Sequence, residues 1–116
     1  MFTKKNLILE KTVEQLDEYF FNNRKFFTIY YLLNTTWFFK KVLEEVSLIK
    51  FGKVKFYKQI AKILKNKNAH RAVVNANSRN PLPIIIPCHR VIRSSGDIRG
   101  YRGGIINKKY LLSLEN

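Results

Sequence analysis

The chain has 116 residues, and its 22 lysines and arginines outnumber its 8 aspartates and glutamates, giving a formal net charge of +14 at pH 7. This length allows one domain with a modest core. So basic a chain favours a polyanionic partner, most simply nucleic acid, although charge alone fits a solvated basic surface equally well. A single cysteine excludes an intramolecular disulfide, and with two histidines it argues against a structural zinc site.

The expected location follows from the absence of targeting features. The N-terminal sequence does not resemble a secretory signal, because its short apolar piece is soon followed by charges. The apolar run 26–33 is much shorter than the roughly 20 residues that a membrane-spanning helix needs. We therefore expect a soluble protein of the cytoplasm, or of the nucleus in a eukaryote, that does not bind a membrane.

The first part of the chain is aromatic and carries no candidate chemistry. Apolar residues at helical spacing across 13–20 predict a helix, and the run 26–33 predicts a strand. We assign residues 1–35 to a short N-terminal segment and residues 36–116 to the main domain.

Three helices are predicted in the first half of the main domain. Thr35 or Thr36 can cap the first one. Apolar residues at i, i+3, i+4 and i+7 predict the second over 57–65, and Asn68 can cap a third over 69–78. Two short helices joined by a tight turn predict a helix-turn-helix, and the basic charge favours this over an ordinary helical hairpin.

The C-terminal part begins with a turn predicted over 94–97. Residues 100–104 form a glycine-flanked loop, which is either a mobile connector or a segment able to approach a ligand closely. Asn107 can cap a last helix. The residues predicted to face inward on it are Tyr110, Leu111 and Leu114.

The stretch with most chemical potential is 84–92, which holds the cysteine beside a histidine. Three isoleucines at 84–86 predict a short buried strand that stops at Pro87, because proline cannot donate a ladder hydrogen bond. Cys88 then lies at the strand exit, where a thiol activated by a base can act as a nucleophile. The alternative is a small buried hydrophobic residue with no chemical role.

The wider string decides between these two interpretations. It reads Asn80-Pro81-Leu82-Pro83-Ile84-Ile85-Ile86-Pro87-Cys88-His89-Arg90-Val91. This string resembles the active-site signature of the O6-alkylguanine-DNA alkyltransferases, also called methylated-DNA–protein-cysteine methyltransferases. The resemblance extends from about Thr36 to Glu115. It implies an α+β fold: a mainly helical, winged-helix-like DNA-binding and catalytic domain with short strands, preceded here by a truncated N-terminal segment.

The reaction implied by the resemblance is a single, stoichiometric transfer in DNA repair. The protein flips an alkylated guanine out of double-stranded DNA, because the target atom lies inside the base stack. The cysteine thiolate then takes the alkyl group and keeps it, so each molecule acts once. No cofactor and no metal are needed, and the protein is expected to act as a monomer.

The resemblance also assigns the catalytic residues. Cys88 matches the alkyl acceptor, and His89 matches the base that takes its proton through a bound water. Glu115 matches the carboxylate that orients the histidine, in the logic common to thiol sites. Asn80 matches the asparagine that ties together the turn before the active-site segment.

Further residues match those that bind DNA in this family. Tyr57 matches the tyrosine that crowds the phosphate beside the flipped nucleotide. Arg71 matches the arginine that enters the base stack from the recognition helix, and its planar, always charged group suits that task. The small Ala72 allows this helix to approach the minor groove closely.

The flipped base is expected to be bound by two segments. Backbone carbonyls of Cys88 and Val91 match those that accept hydrogen bonds from the guanine amino group. Tyr101, Arg102 and Gly103 match the loop that closes over the base and donates to its oxygen. In this family a small or hydroxylic residue is often found at the position of Arg102. The side-chain donor of the loop is therefore expected to differ here, whereas a backbone donor would be retained.

Two other functions remain open at this point. A helix-turn-helix regulator would bind DNA without chemistry, but nothing in the sequence suggests a dimerisation element. A non-catalytic sensor of alkylation damage would share this resemblance but lack the acceptor cysteine, whereas Cys88 is present. Val74 also departs from the glycine often found on the recognition helix, which affects how closely the backbone reaches DNA.

Overall fold

A computed structural model describes residues 4–66, 69–98, 101 and 103–116, without the side chains of 4–6. The chain divides into two compact units, Met1–Leu33 and Asn34–Asn116. The predicted mainly helical fold with short strands is confirmed. The elements in chain order are α1 (Lys4–Phe21), α2 (Trp37–Ser47), β1 (Lys55–Phe56), α3 (Tyr57–Ile63), α4 (His70–Ser78), a 3-10 turn (Cys88–Arg90), β2 (Val91–Ile92) and α5 (Ile105–Leu114).

The first unit consists of α1 and an irregular segment that follows it. Tyr19 on α1 is buried, and its ring lies 5.7 Å from that of Phe27, centroid to centroid. The Gln15 side chain donates to the Thr28 hydroxyl at 2.7 Å and accepts from the Thr28 backbone N–H at 2.9 Å. The strand predicted over 26–33 is wrong, because this segment is irregular and the Thr28 N–H is bound by a side chain instead of a neighbouring strand.

Helix α2 begins where the sequence predicted. The Thr36 hydroxyl accepts from the Phe39 backbone N–H at 3.4 Å, so Thr36 is the N-cap. The apolar face of the helix is buried and packs against α3 and α4. Its members are Val42, Leu43 and Val46.

Helices α3 and α4 confirm the predicted pair of short helices. The Gln59 side chain accepts from the Phe56 N–H at 2.7 Å and so satisfies a backbone donor at the start of α3. Val73 and Ala76 of α4 are buried in the contact with α2 and α3. The predicted cap Asn68 lies outside the described residues.

The two strands are parallel, with Lys55 paired with Val91 and Phe56 paired with Ile92. They are short but set the position of the site. Tyr57 follows β1 directly, and the 3-10 turn Cys88–Arg90 precedes β2 directly. Because the strands are parallel, the pairing aligns the start of α3 with the residues that follow β2, and Tyr57 lies close enough to Arg93 and Cys88 for both to affect its pKa.

The strand predicted over 84–86 is wrong. Ile84 has a φ of 75°, in the left-handed region that β-branched residues rarely adopt, and Ile86 donates to the Leu82 carbonyl at 2.8 Å. The segment is a tight turn in which Pro83 and Ile86 form an isolated bridge. The apolar triplet is too short, between Pro83 and Pro87, to extend a ladder.

Helix α5 differs from its predicted boundaries and orientation. It begins at Ile105, with Gly104 at the N-cap position, so Asn107 lies in the first turn instead of capping the helix. Asn107 donates to the Gly103 carbonyl at 2.8 Å. Tyr110 is 55% exposed, whereas Leu111 is buried as predicted and Lys108 is fully buried.

Among the described residues, no helix combines the length and apolar character needed to cross a bilayer.

Candidate active site

Cys88 occupies the first position of the 3-10 turn and is 5% exposed. Its backbone N–H donates to the Ile86 carbonyl at 2.8 Å, and its own carbonyl accepts from the Asn77 side chain at 3.1 Å. Asn77 is itself buried on α4. Helix α4, the second helix of the predicted helix-turn-helix, therefore holds the cysteine turn directly. Sequence reasoning missed Asn77, because an amide on a helix is normally read as solvent-exposed.

Asn80 joins the two sides of the loop before the cysteine. Its side-chain N–H donates to the Ile86 carbonyl at 2.7 Å, and its side-chain oxygen accepts from the Leu82 N–H at 2.9 Å. The Asn80 side chain also acts to lower the pKa of the Cys88 thiol. One buried amide therefore fixes the turn that replaces the predicted strand.

His89 and Glu115 lie 26 residues apart in sequence and touch in the fold. His89 Nε2 is 2.7 Å from Glu115 Oε2, and both side chains are almost completely buried. Because an ionised carboxylate only accepts hydrogen bonds, this contact places the ring hydrogen on Nε2. His89 Nδ1 is buried and has no hydrogen-bond partner within the described part of the chain.

Arg90 is the main residue of this network that sequence reasoning missed. Its Nε donates to Glu115 Oε1 and its Nη2 to Glu115 Oε2, both at 2.8 Å, while Nη1 donates to the Ile49 carbonyl at 2.7 Å. The paired, planar geometry is the strongest form of an arginine–carboxylate contact. A carboxylate at a helix C-terminus opposes the helix dipole unless a cation meets it, and adjacency to His89 was the signal that could have identified Arg90 as that cation.

The environment of Cys88 favours its protonated form. Burial raises the pKa of the thiol, and this outweighs the opposing effects of hydrogen bonds from Asn80 and Tyr101 and of the positive charge on Lys108. Burial also raises the pKa of Tyr101, and the neighbouring Cys88 adds to that rise. The phenol therefore remains a hydrogen-bond donor at neutral pH. A thiol in this state needs a base to become nucleophilic.

The remaining predicted site residues fall into two groups. Tyr57 and Val91 are buried near the cysteine turn. The Val91 carbonyl accepts a hydrogen bond from Lys108 at 2.6 Å. The Cys88 carbonyl accepts one from the Asn77 side chain at 3.1 Å and another from the Val91 backbone N–H, so both of its lone pairs are engaged. Burial raises the pKa of Tyr57, which keeps its hydroxyl protonated.

The second group lies at the protein surface. Arg71 and Ala72 are exposed side by side near the start of α4. Tyr101 is half-buried, and a Cβ atom at Gly103 would lie 2.6 Å from Cε2 of its ring, so glycine permits this ring to lie against the backbone. Arg102 lies outside the described residues.

Together, these features define a class of protein: a small helical domain in which a buried thiol, a histidine–carboxylate pair and two short helices adjoin. Comparison with known proteins identifies the family. Residues 37–116 match the model of the 6-O-methylguanine DNA methyltransferase, DNA binding domain. The chain therefore belongs to the methylated-DNA–protein-cysteine methyltransferase family.

Individual relatives agree with this assignment. The chain is 43% identical over 101 residues to a methylated-DNA–protein-cysteine methyltransferase of Methanosarcina mazei, an alignment covering 87% of this chain and 64% of the relative. Mycobacterium tuberculosis OGT in complex with DNA has a TM-score of 0.88 at 40% identity, covering 91% of this chain and 66% of that one. S. pombe Atl1, in complex with damaged DNA containing O6-carboxymethylguanine, has a TM-score of 0.62 at 32% identity, covering 72% and 79%.

The chain thus spans just under two thirds of the length of the Methanosarcina relative.

The geometry of Arg90 generates a stability prediction. Arg90→Met removes both bonds to Glu115 and leaves a buried carboxylate without its cation, so the free energy of unfolding should fall by about 3–5 kcal/mol. Urea unfolding followed by circular dichroism measures this change. Arg79→Met is the matched control, because Arg79 is exposed, and it should cost less than about 0.5 kcal/mol. Equal stability of the two variants would show that the network contributes nothing.

Proposed function

We propose that this protein repairs DNA by transferring an alkyl group from O6-alkylguanine to Cys88 in a single, stoichiometric reaction. The observation that carries the proposal is the buried arrangement of Cys88, Asn80, His89 and Glu115, which supplies an acceptor, its loop support, a base and an orienting acid. The names of the relatives agree with this activity. The non-catalytic sensor is not favoured, because a base and its orienting carboxylate have no task where no thiol is activated.

The protonation states give the order of events. Burial keeps the Cys88 thiol protonated at rest, so a base must remove its proton when the substrate arrives. With its hydrogen on Nε2 against Glu115, His89 presents Nδ1 as the proton acceptor. A water between the thiol and this nitrogen transfers the proton, as the resemblance to the family implies.

The transfer itself needs no further reagent. The sulfur forms a bond to the alkyl carbon as the bond between that carbon and guanine O6 breaks. The electron pair remains on the guanine, which takes a proton and is left repaired. Tyr101 lies beside the sulfur with its phenol protonated, so it is placed to donate a hydrogen bond as the leaving oxygen gains charge.

The DNA is expected to lie against α4. Arg71 is exposed near the start of this helix beside the small Ala72, which suits close approach to the minor groove and insertion of the guanidinium into the space left by the flipped base. Tyr57, at the start of α3 and near Cys88, is expected to lie on the path of the flipped nucleotide. The net charge of +14 supplies phosphate contacts.

The proposal also covers the substrate, the oligomeric state, the location and the domains of the protein. The substrate is double-stranded DNA, and the protein acts as a monomer in the cytoplasm. Residues 1–35 form a separate N-terminal segment, and residues 36–116 form the domain that binds DNA and carries the reaction. Val91 and Gly103 line the position of the flipped base, and Arg102 belongs to the same loop.

The direct test is the intact mass of the protein after it is mixed with an oligonucleotide carrying O6-methylguanine. We expect a gain equal to one methylene group, located on Cys88 by peptide mapping and absent from the Cys88→Ala variant. The same variant should still bind DNA, since phosphate contacts rather than the thiol hold the duplex. An unchanged mass, with damaged DNA still preferred over undamaged DNA, would make the protein a sensor instead.

The proposed role of Arg71 gives a kinetic prediction. Arg71→Ala should slow methyl transfer in single-turnover experiments about tenfold or more, since the flipped base loses about 1.4 kcal/mol of support. Arg79→Ala is the control, because it removes one exposed charge at the other end of the same helix. If the two variants slow transfer equally, Arg71 contributes only its charge and does not enter the base stack.

A further inference from the structure

Lys108 is a fully buried lysine beside the candidate site. It lies on α5 with no exposed surface, a position that lysine rarely occupies unless its charge is paired. Its Nζ donates to the Val91 carbonyl at 2.6 Å. Val91 directly follows the turn that holds Cys88, so this bond joins α5 to the strand at the exit of the site.

Two aromatic rings flank the same ammonium group. Nζ lies 5.9 Å from the centroid of the Tyr57 ring and 5.7 Å from that of the Tyr101 ring. Both distances fit a cation–π contact. Lys108 therefore contacts Tyr57 at the start of α3, Val91 at the start of β2, and Tyr101, three residues expected to surround the flipped base.

The charged and titratable groups near Lys108 shift its pKa in opposite directions. Burial lowers the pKa of Lys108 to about 8, and Arg93 contributes in the same direction. Cys88 and Asp97 act in the opposite direction and favour the ammonium form. The effect is reciprocal, because the positive charge of Lys108 lowers the pKa of the Cys88 thiol.

We propose that Lys108 is a positioning residue whose buried ammonium group holds Tyr101 and β2 around Cys88 and favours the thiolate form of the cysteine. The electrostatic part of this inference concerns the thiol alone. Its consequence for alkyl transfer rests on the proposed function. No pattern in the sequence indicated this role, because a lysine on a helix is normally solvent-exposed.

The proposal has a specific dependence on pH. Below about pH 8 Lys108 is charged, and its charge increases the thiolate fraction of Cys88. As the pH rises through about 8, Lys108 loses its proton and the increase disappears. A residue with a structural role alone would affect reactivity by the same factor at every pH.

The test measures the rate at which iodoacetamide alkylates Cys88, followed by intact mass without DNA, between about pH 6 and about pH 9.5. Lys108→Met keeps the length of the side chain and removes the charge. We expect this variant to react about tenfold more slowly than the unaltered protein near pH 7, which corresponds to about one unit in the pKa of the thiol. This ratio should approach one above pH 8. A ratio that does not change with pH, or equal rates throughout, would overturn the proposal.

Two further variants provide controls on the same helix. Lys109→Met removes a neighbouring exposed charge and should leave the pH profile of the alkylation unchanged. Lys108→Arg retains a charge that persists above pH 8 and should restore reactivity at neutral pH. A Lys109→Met variant that reproduced the Lys108→Met profile would mean that net charge, rather than the buried ammonium, governs the thiol.

A second measurement applies if Lys108→Met does not fold. The ¹³C chemical shift of Lys108 Cε is followed against pH in the unaltered protein and in Cys88→Ala. The titration midpoint should lie near 8 and should fall in the variant, because the thiolate that forms at Cys88 as the pH rises favours the ammonium and is absent from the variant. A midpoint unaffected by the substitution would overturn the coupling.

The alkylation and titration experiments do not depend on DNA. If the unaltered protein gained no methyl group from O6-methylguanine but showed both pH effects, the proposed function would fail while the role of Lys108 in favouring the thiolate would stand.

Discussion

The rest of the site depends on the hydrogen bonds of one buried carboxylate, that of Glu115. It accepts two hydrogen bonds from Arg90 and approaches His89 Nε2, all within a region that is almost inaccessible to solvent. An ionised carboxylate in such a place is costly unless it is paired and hydrogen-bonded. Arg90 supplies the compensating charge, and this allows the same carboxylate to hold the histidine ring in one orientation. One acidic residue thus serves both the fold and the proposed chemistry.

The same contact joins segments that are far apart in the chain. Arg90 also donates to the Ile49 carbonyl, so the end of α2, the cysteine turn and the end of α5 meet at one guanidinium. Gly52 has a φ of 78°, and a Cβ at this position would lie 3.1 Å from the backbone oxygen of Glu115. This close approach of the two backbones explains why the residue at position 52, after α2, is a glycine. The position of His89 is therefore fixed by long-range contacts, although it lies next to Cys88 in sequence.

The sequence predicted the parts of this structure that depend on local pattern. Helical spacing located α2, α3 and α4, and Thr36 was correctly identified as a cap. Local pattern failed where side chains replace backbone partners: Asn80 stabilises a tight turn in place of the strand expected from three isoleucines.

The charged residues inside the site were the hardest to predict. Hydropathy treats arginine and lysine as surface residues, so Arg90 and Lys108 could not be placed in the interior by pattern. Their burial depends on partners that are distant in sequence, such as Glu115 and the Val91 carbonyl. The roles of His89 and Glu115 came from the family resemblance, since a spacing of 26 residues carries no local signal.

The most direct test of the account is the single-turnover rate of methyl transfer by Glu115→Gln. The amide keeps the shape of the side chain but removes the charge that orients His89 and pairs with Arg90. In folded protein, verified by circular dichroism, the rate should fall about 100-fold or more relative to Glu44→Gln, which neutralises an exposed carboxylate. A folded Glu115→Gln protein that transfers methyl groups at the rate of the control would contradict the claim that this carboxylate organises the reaction.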